Sequence, residues 1–343
     1  MKVVHIESGL GNQMLSYAEY LVIQKLNPSD QCYIETIIYD IPECNDVICQ
    51  WNGYELERIF GIQAPDVRNY FTQKQWLEII EDVRNSKFWN NGWRYAAAIT
   101  EALNHQGLEL INYLGDDERY RQTQSFMERM TNNKIGYDLK RYLRPLYEKK
   151  YIQKWNCSAK IFIQTEKDVF AGQTLGLRNR NVDIDFVKEE INKSFCFPEI
   201  KDEKNLKAAN QIMNCNSIAI HARRGDMLQS NGYCYQYGYF KRATKYIRKR
   251  ISNPVFFFFC DTGSIEWCKS NLDIFGLDIK KDELYFIDWN QGLEYYRDMQ
   301  LMSLCKHNII TSSSFGWWGA YFNNNPDKIT CSPSVWLNTT NHF

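Results

Sequence analysis

The residues best equipped for chemistry are His221-Ala222-Arg223-Arg224-Gly225-Asp226. They follow the apolar run Ser217–Ile220, which reads as a short buried strand. Two guanidinium groups therefore emerge together at a strand end, where open α/β sheets bind ligands. A guanidinium is a planar fork of donors that matches phosphate oxygens and keeps its charge, so an adjacent pair closed by a turn-forming glycine suits a diphosphate. The plainer reading is a surface salt bridge to Asp226. Arg224-Gly225-Asp226 is also an integrin-type tripeptide, but that use requires an exposed loop on a secreted protein, and nothing else in the chain points to one.

Three further features fall at or just after strand ends. In Gly9-Leu10-Gly11-Asn12-Gln13 the glycines let backbone approach a ligand, and the helix that follows offers N–H groups and a positive dipole end to an anion; the alternative is a simple turn. Asp261, after the apolar run ending in Cys260, is placed to accept N–H groups from a guanine edge, to hold a ribose hydroxyl, or to cap the next helix. Ser312, Ser313 and Ser314 lead through Phe315 into a helix start, presenting hydroxyl and amide donors to phosphate. Trp317 and Trp318 read as packing residues. The common demand of these features is a phosphorylated ligand.

Several classes are disfavoured. There is no Walker sequence, and Gly9 to Gly11 lacks the third glycine of the dinucleotide fingerprint, with only Glu35 near the required acidic position. Lys plus Arg and Asp plus Glu both total 41, so no nucleic-acid signature exists and any anion site is local. The 11 cysteines are scattered without a Cys-x-x-Cys pair and the five histidines lack zinc spacing, which fits reduced thiols in a cytoplasmic protein. The start Met1–Ile6 has no signal-peptide form, so export is not expected. The apolar run Val255–Cys260 is far short of the ~18 residues of a membrane helix. Asp183-Ile184-Asp185 has the form that holds a divalent ion against a diphosphate, although its segment also reads as a loop capping a charged helix. Nucleophilic hydrolysis finds no Gly-x-Ser-x-Gly elbow, and the serines have only His307 nearby in sequence. Lys241–Arg250 is strongly basic: a solvated face, or one that rests on an acidic membrane surface.

The elements that must position these groups follow from periodicity. At 343 residues the chain exceeds the ~250–300 of a single core, so two domains are expected, meeting near the lysine-rich stretch Ile200–Lys207. Val3–Ile6 reads as a strand, Met14–Leu26 as a helix and Gln31–Tyr39 as a second strand. From Trp51 to Lys154 the pattern is helical and aromatic, with Trp51, Trp76, Trp89, Trp93 and Trp155 expected mostly in the core. Beyond it, strands at 217–220, 255–260, 284–287 and 308–311 alternate with helices near 239–251, 264–270 and 295–305. Short all-apolar strands between amphipathic helices imply a parallel sheet covered on both faces.

The segments Gly9–Met14, His221–Asp226, Asp298–Ser303, Cys305–Ile310 and Ser313–Ala320, in this order, resemble the alpha-1,2-fucosyltransferases of glycosyltransferase family 11. The likeness covers the first twenty or so residues and most of 217–337. It implies an α/β fold of GT-B type, two Rossmann-like domains facing across a cleft. An acceptor-side domain with a helical insertion would span 1–205 and a GDP-fucose-binding domain 206–343. It further implies inverting, metal-independent transfer of L-fucose from GDP-β-L-fucose to a galactose-ended oligosaccharide or glycolipid. On this resemblance Arg223 contacts the β-phosphate and stabilises the leaving GDP, while His221, Arg224 and Asp226 shape the nucleotide site. Asp261 lies near the guanosine, Ser312, Ser313, Ser314 and Phe315 near the diphosphate, and Gly9, Gly11, Asn12 and Gln13 close the donor pocket. The family more often has asparagine at Ser312, serine at Gly316 and aspartate at Thr262. A metal-dependent transferase using Asp183 and Asp185, and a non-catalytic nucleotide- or glycan-binding module, remain the alternatives. The acceptor's proton requires a carboxylate or histidine that the sequence does not single out.

Overall fold

The structure is a computed structural model that describes residues 1–44, 52–90, 95–112, 166–171, 184–225 and 228–333, with isolated positions between 133 and 142. The described residues form two units, and the chain passes from the first to the second at Phe197–Pro198.

The first unit is built on β1 (Lys2–His5), whose four residues are all buried. Lys2 is tolerated there because its ammonium donates to the Lys167 carbonyl at 2.8 Å and pairs with Asp30 at 3.3 Å. Helix α1 (Leu10–Leu26) is buried on nearly every side from Leu10 to Ile23, as a helix enclosed by its neighbours must be. The second strand, β2, spans only Cys32–Glu35. Beyond it the Ile37 amide donates to the Glu35 carboxylate and Ile37–Asp40 winds into a 3₁₀ turn, so the strand expected to reach Tyr39 stops early.

Short α2 (Leu56–Phe60) is followed by α3 (Gln73–Ser86), which begins at a reciprocal Thr72–Gln75 capping box and buries Trp76, Ile79 and Val83 along one face. Helix α4 (Tyr95–His105) packs with it. Trp89 is half-buried; Trp51, Trp93 and Trp155 lie outside the described residues. Strands β3 (Ile111–Asn112) and β4 (Val169–Ala171) complete a parallel sheet in the order β2-β1-β4-β3, and α5 (Lys188–Ser194) follows. The segment Trp51–Lys154 that reads as helical thus also supplies β3, and β4 follows beyond it, each too short to show a period.

In the second unit α6 (Glu203–Met213) starts at Asp202, whose side chain accepts the Asn205 amide at 2.8 Å. The chain continues through β5 (Asn216–Ala222), α7 (Leu228–Gln236), α8 (Tyr239–Arg248), β6 (Pro254–Cys260), α9 (Ile265–Ser270) and α10 (Leu272–Phe275). It ends with β7 (Glu283–Ile287), α11 (Tyr296–Leu304), β8 (His307–Ile310), α12 (Ser314–Tyr321) and β9 (Thr330–Cys331). All five strands are parallel, in the order β7-β6-β5-β8-β9.

Strand β6 shows why its sequence is apolar throughout. Phe256 and Phe258 pack with Ile218, Ile220, Phe240 and Ile247 on one face, and Phe257 and Phe259 with Ile212, Leu301 and Met302 on the other. Each such burial contributes about 1.5–3 kcal/mol. From β5 the chain runs outward to β6 and β7 on one side and returns to β8 and β9 on the other. The strand order therefore reverses between β5 and β8, and the crevice beyond their carboxyl ends is where such sheets take ligands.

Candidate functional site

His221 is the penultimate residue of β5, and Arg223 to Gly225 leave the sheet directly after it. The first residue past β6 is Asp261, which captures that loop. Its Oδ1 accepts the Arg224 amide at 2.6 Å, and its Oδ2 accepts the Gly225 amide and the Ser264 hydroxyl, both at 2.7 Å. A Cβ on Gly225 would stand 2.7 Å from Asp261 Oδ2, so the close approach requires glycine. Both carboxylate oxygens of Asp261 thus face the arginine loop and helix α9.

The two arginines diverge. The Arg224 guanidinium lies 3.4 Å from the Trp267 ring centroid and 5.7 Å from that of Tyr235, a stacked cation–π arrangement against α9 and α7. The Arg223 carbonyl accepts the Tyr235 hydroxyl at 2.9 Å. Arg223 itself is half-buried, and its charge acts on His221. Burial first, and then Arg223, push His221 down to about 3 against the opposing pull of Asp261, so the imidazole is neutral at physiological pH.

Across the reversal point, the exit of β8 carries the serines. Ser312 is buried with its hydroxyl 2.5 Å from the Tyr233 hydroxyl, while Ser313, Ser314 and Phe315 are half-buried. Ser313 is the extended N-cap of α12. The first turn of an α-helix leaves N–H groups without intrahelical acceptors, so α12 opens with donors and a positive dipole end beside β5. Phe315 stacks on Tyr295 at 5.3 Å and tilts toward His221 at 5.7 Å. A Cβ on Gly316 would lie 2.3 Å from His221 Nδ1, so the close approach of α12 to β5 requires glycine here. Trp318 is fully buried and Trp317 half-buried.

One acid of interest emerges only from the packing. Asp298, in the first turn of α11 and three residues beyond Tyr295, is buried, and burial raises its carboxyl to about 8 despite a 2.7 Å hydrogen bond from Asn290. Its signal in the sequence is an acid among the apolar positions of a core-facing turn.

The glycine loop belongs to the first unit. Gln13 is buried, and its side-chain amide is engaged by backbone: Nε2 donates to Ser8 and Gly53 carbonyls at 2.9 and 2.8 Å, and Oε1 accepts the Glu55 amide at 2.8 Å. Asn12, half-buried, donates to the Ser8 hydroxyl at 3.0 Å. Gly9 is extended, with φ −79°, and Gly11 is buried; the left-handed residue of the loop is Ser8, with φ 65°.

Asp183 and Asp226 lie outside the described residues, and Asp185 is exposed in the 3₁₀ turn Asp185–Val187. His307 Nδ1 accepts the Ile329 amide at 3.0 Å rather than a serine hydroxyl. Among the described residues no group of three His, Cys, Asp or Glu is placed to hold a metal ion, and no helix is long and apolar enough to cross a membrane.

Residues 177–342 match the family model described as glycosyl transferase family 11. An alpha-1,2-colitosyltransferase of Escherichia coli is 36% identical over 44% of this chain and 51% of its own length. The O-antigen biosynthesis glycosyltransferase WbnK of Escherichia coli is 32% identical over 36% of this chain and 40% of its own. A galactoside alpha-(1,2)-fucosyltransferase 1 of Plecturocebus brunneus is 31% identical over 30% of this chain and 28% of its own. The chain thus spans about half the length of these relatives or less. A crystal structure of the NodZ alpha-1,6-fucosyltransferase aligns over 93% of this chain and 90% of its own at 9% identity and a TM-score of 0.43, too loose a match to carry an argument. The likeness to glycosyl transferase family 11 is thus a likeness of residues 177–342, just under half of the chain.

Proposed function

We propose that the chain is an inverting glycosyltransferase that moves L-fucose from GDP-β-L-fucose to a glycan hydroxyl, the 2-OH of a terminal galactose, without a metal ion. The observation that supports this reading is the placing of Arg223 where the strand order reverses, beside a neutral His221 and the N-terminus of α12. Breaking the C1–O bond builds positive charge on the sugar and negative charge on the departing GDP. Fixed donors at Arg223 and the start of α12 are suited to the latter. A neutral His221 adds a hydrogen-bonding edge without competing for the anion. Asp261 and Arg224 serve by fixing the loop that carries Arg223, and Gln13 by fixing the glycine loop.

The names of the relatives point to two donors, since one is named for colitose and another for fucose. Free thiols among the described cysteines and the exposed cationic face of α8, with Lys241, Lys245 and Arg248, fit work in the cytoplasm close to an anionic membrane bearing the acceptor.

The test is transfer from radiolabelled GDP-fucose, with GDP-colitose as competitor donor, to a panel of galactose-ended acceptors, with and without EDTA. Transfer that survives EDTA and falls ~10²–10³-fold in Arg223→Ala supports the reading. Strict manganese dependence, or GDP binding without turnover on any acceptor, overturns it.

A further inference from the structure

The β5–β8 ladder ends at the pair His221–Ile310, and Arg223 and Ser312, each two residues further along, lie past its hold. Helix α7 carries tyrosines at 233 and 235, on either side of Cys234, and all three are buried. Successive helical residues turn by about 100°, so positions two apart leave the axis about 200° apart, nearly on opposite sides. A helix covered on opposite sides has no single apolar stripe, which is why α7 shows little periodicity.

One tyrosine reaches each wall of the crevice. The Tyr235 hydroxyl donates to the Arg223 carbonyl at 2.9 Å. Its ring is packed by Phe240 of α8 at 5.2 Å, Trp267 of α9 at 5.6 Å and Phe275 of α10 at 6.4 Å, so the hydroxyl has little freedom to follow a moving loop. On the other side the Tyr233 hydroxyl lies 2.5 Å from that of Ser312, just past β8. Tyr239, the first residue of α8, stands 2.6 Å from the Ile310 carbonyl and 2.7 Å from that of Cys331, so one shared proton joins the ends of β8 and β9. Packing alone would be served by phenylalanine at 233 and 235, because a buried hydroxyl is costly without a partner.

We propose that α7 is a strut that fixes the separation of Arg223 from the start of α12, with Tyr233 and Tyr235 as positioning residues for a bound diphosphate. This rests on the reading of the crevice as the seat of a nucleoside diphosphate, and every group involved belongs to the second unit. Asp261 holds the arginine loop by the Arg224 and Gly225 amides, and Tyr235 holds it by the Arg223 carbonyl, so the loop is fixed from β6 and from α7. An anion that bridges two walls gains from both only when they stand at the right separation together. Donors set at that separation beforehand need no reorganisation when the ligand arrives or when charge builds on the leaving group.

The experiment measures GDP affinity by titration calorimetry, together with thermal midpoint, for the full chain, Tyr233→Phe, Tyr235→Phe and the double variant. Each single variant binds GDP about 3–10-fold more weakly, the loss expected of one hydrogen bond. A strut cut at either end is already cut, so the double variant binds no more than about twofold more weakly than the poorer single, while the two losses in thermal midpoint add. Wild-type GDP affinity in either single variant overturns the inference. So does a double variant whose loss is the product of the two single losses, since each tyrosine then anchors its own wall independently. A wild-type chain that binds no GDP overturns the proposed function and this inference with it. Should either variant fail to fold, hydrogen exchange of the wild-type chain decides: GDP slows exchange in α7 together with 311–314, and unchanged exchange in α7 refutes the strut.

Discussion

Replacing Gly316 by alanine tests whether the start of α12 and the end of β5 form one rigid donor set. The added Cβ would be 2.3 Å from His221 Nδ1, 3.0 Å from Cγ and 3.1 Å from Cε1, about 1 Å inside ordinary contact at the nearest atom. The imidazole cannot yield at small cost, being 4% exposed and close to Phe315, so ring and helix start must separate. Overpacking of this kind costs about 1–3 kcal/mol. At about 2–4 °C per kcal/mol for a unit of this size, calorimetry should show the second unit melting roughly 2–12 °C lower. Because the displaced groups flank Arg223, GDP affinity by titration calorimetry should weaken by at least about tenfold, 1.4 kcal/mol. An alanine variant with unchanged melting and unchanged GDP affinity refutes the idea that His221 is wedged against α12. Lower stability with unchanged affinity refutes the link to the ligand.

Other perturbations separate positioning from contact. Trp267→Ala removes the surface on which Arg224 stacks, worth about 0.5–2 kcal/mol, and should weaken GDP binding several-fold with the Asp261 clamp still in place. Titration calorimetry checks it, and unchanged affinity argues against a stacked role for Arg224. Gln13→Ala deletes three backbone-directed hydrogen bonds and should lower stability by about 2–4 kcal/mol in denaturant unfolding, whereas Asn12→Ala should cost much less. Asp298 is raised from 3.8 to about 8, so the folded chain holds its proton longer than the unfolded one. Its contribution to stability is therefore present below pH 3.8 and is lost as pH rises through 8. Asp298→Asn should remove that loss, seen as a flatter midpoint-versus-pH curve between pH 3.8 and about 8; an identical slope there would exclude a buried, protonated Asp298.

Much of the second unit is legible in its residues. The apolar run at β6 has to be a strand covered on both faces, and the arginines after β5 have to emerge at a strand's carboxyl end. Periodicity does less well where elements are shorter than their own repeat, as at β3, β4 and β9, or where a side chain redirects the backbone, as Glu35 does at Ile37. Helix α7, between the arginine loop and α8, carries little apolar periodicity and shows itself only by packing Tyr233, Cys234 and Tyr235 into the core.

The sequence by itself determined that this chain has parallel α/β sheets and that arginine and serine groups follow directly on their strands, since these follow from local composition and spacing. Only the tertiary structure decided how those groups divide the work. Arg224 is stacked and Arg223 lies by His221, Asp261 is committed to amides 36 and 37 residues away, and Gln13 to one 42 residues away. His5 finds Glu35 across 30 residues in the same manner. The reason is physical: a donor's partner is chosen by strand register and crossover packing, which bring together residues that no local pattern relates.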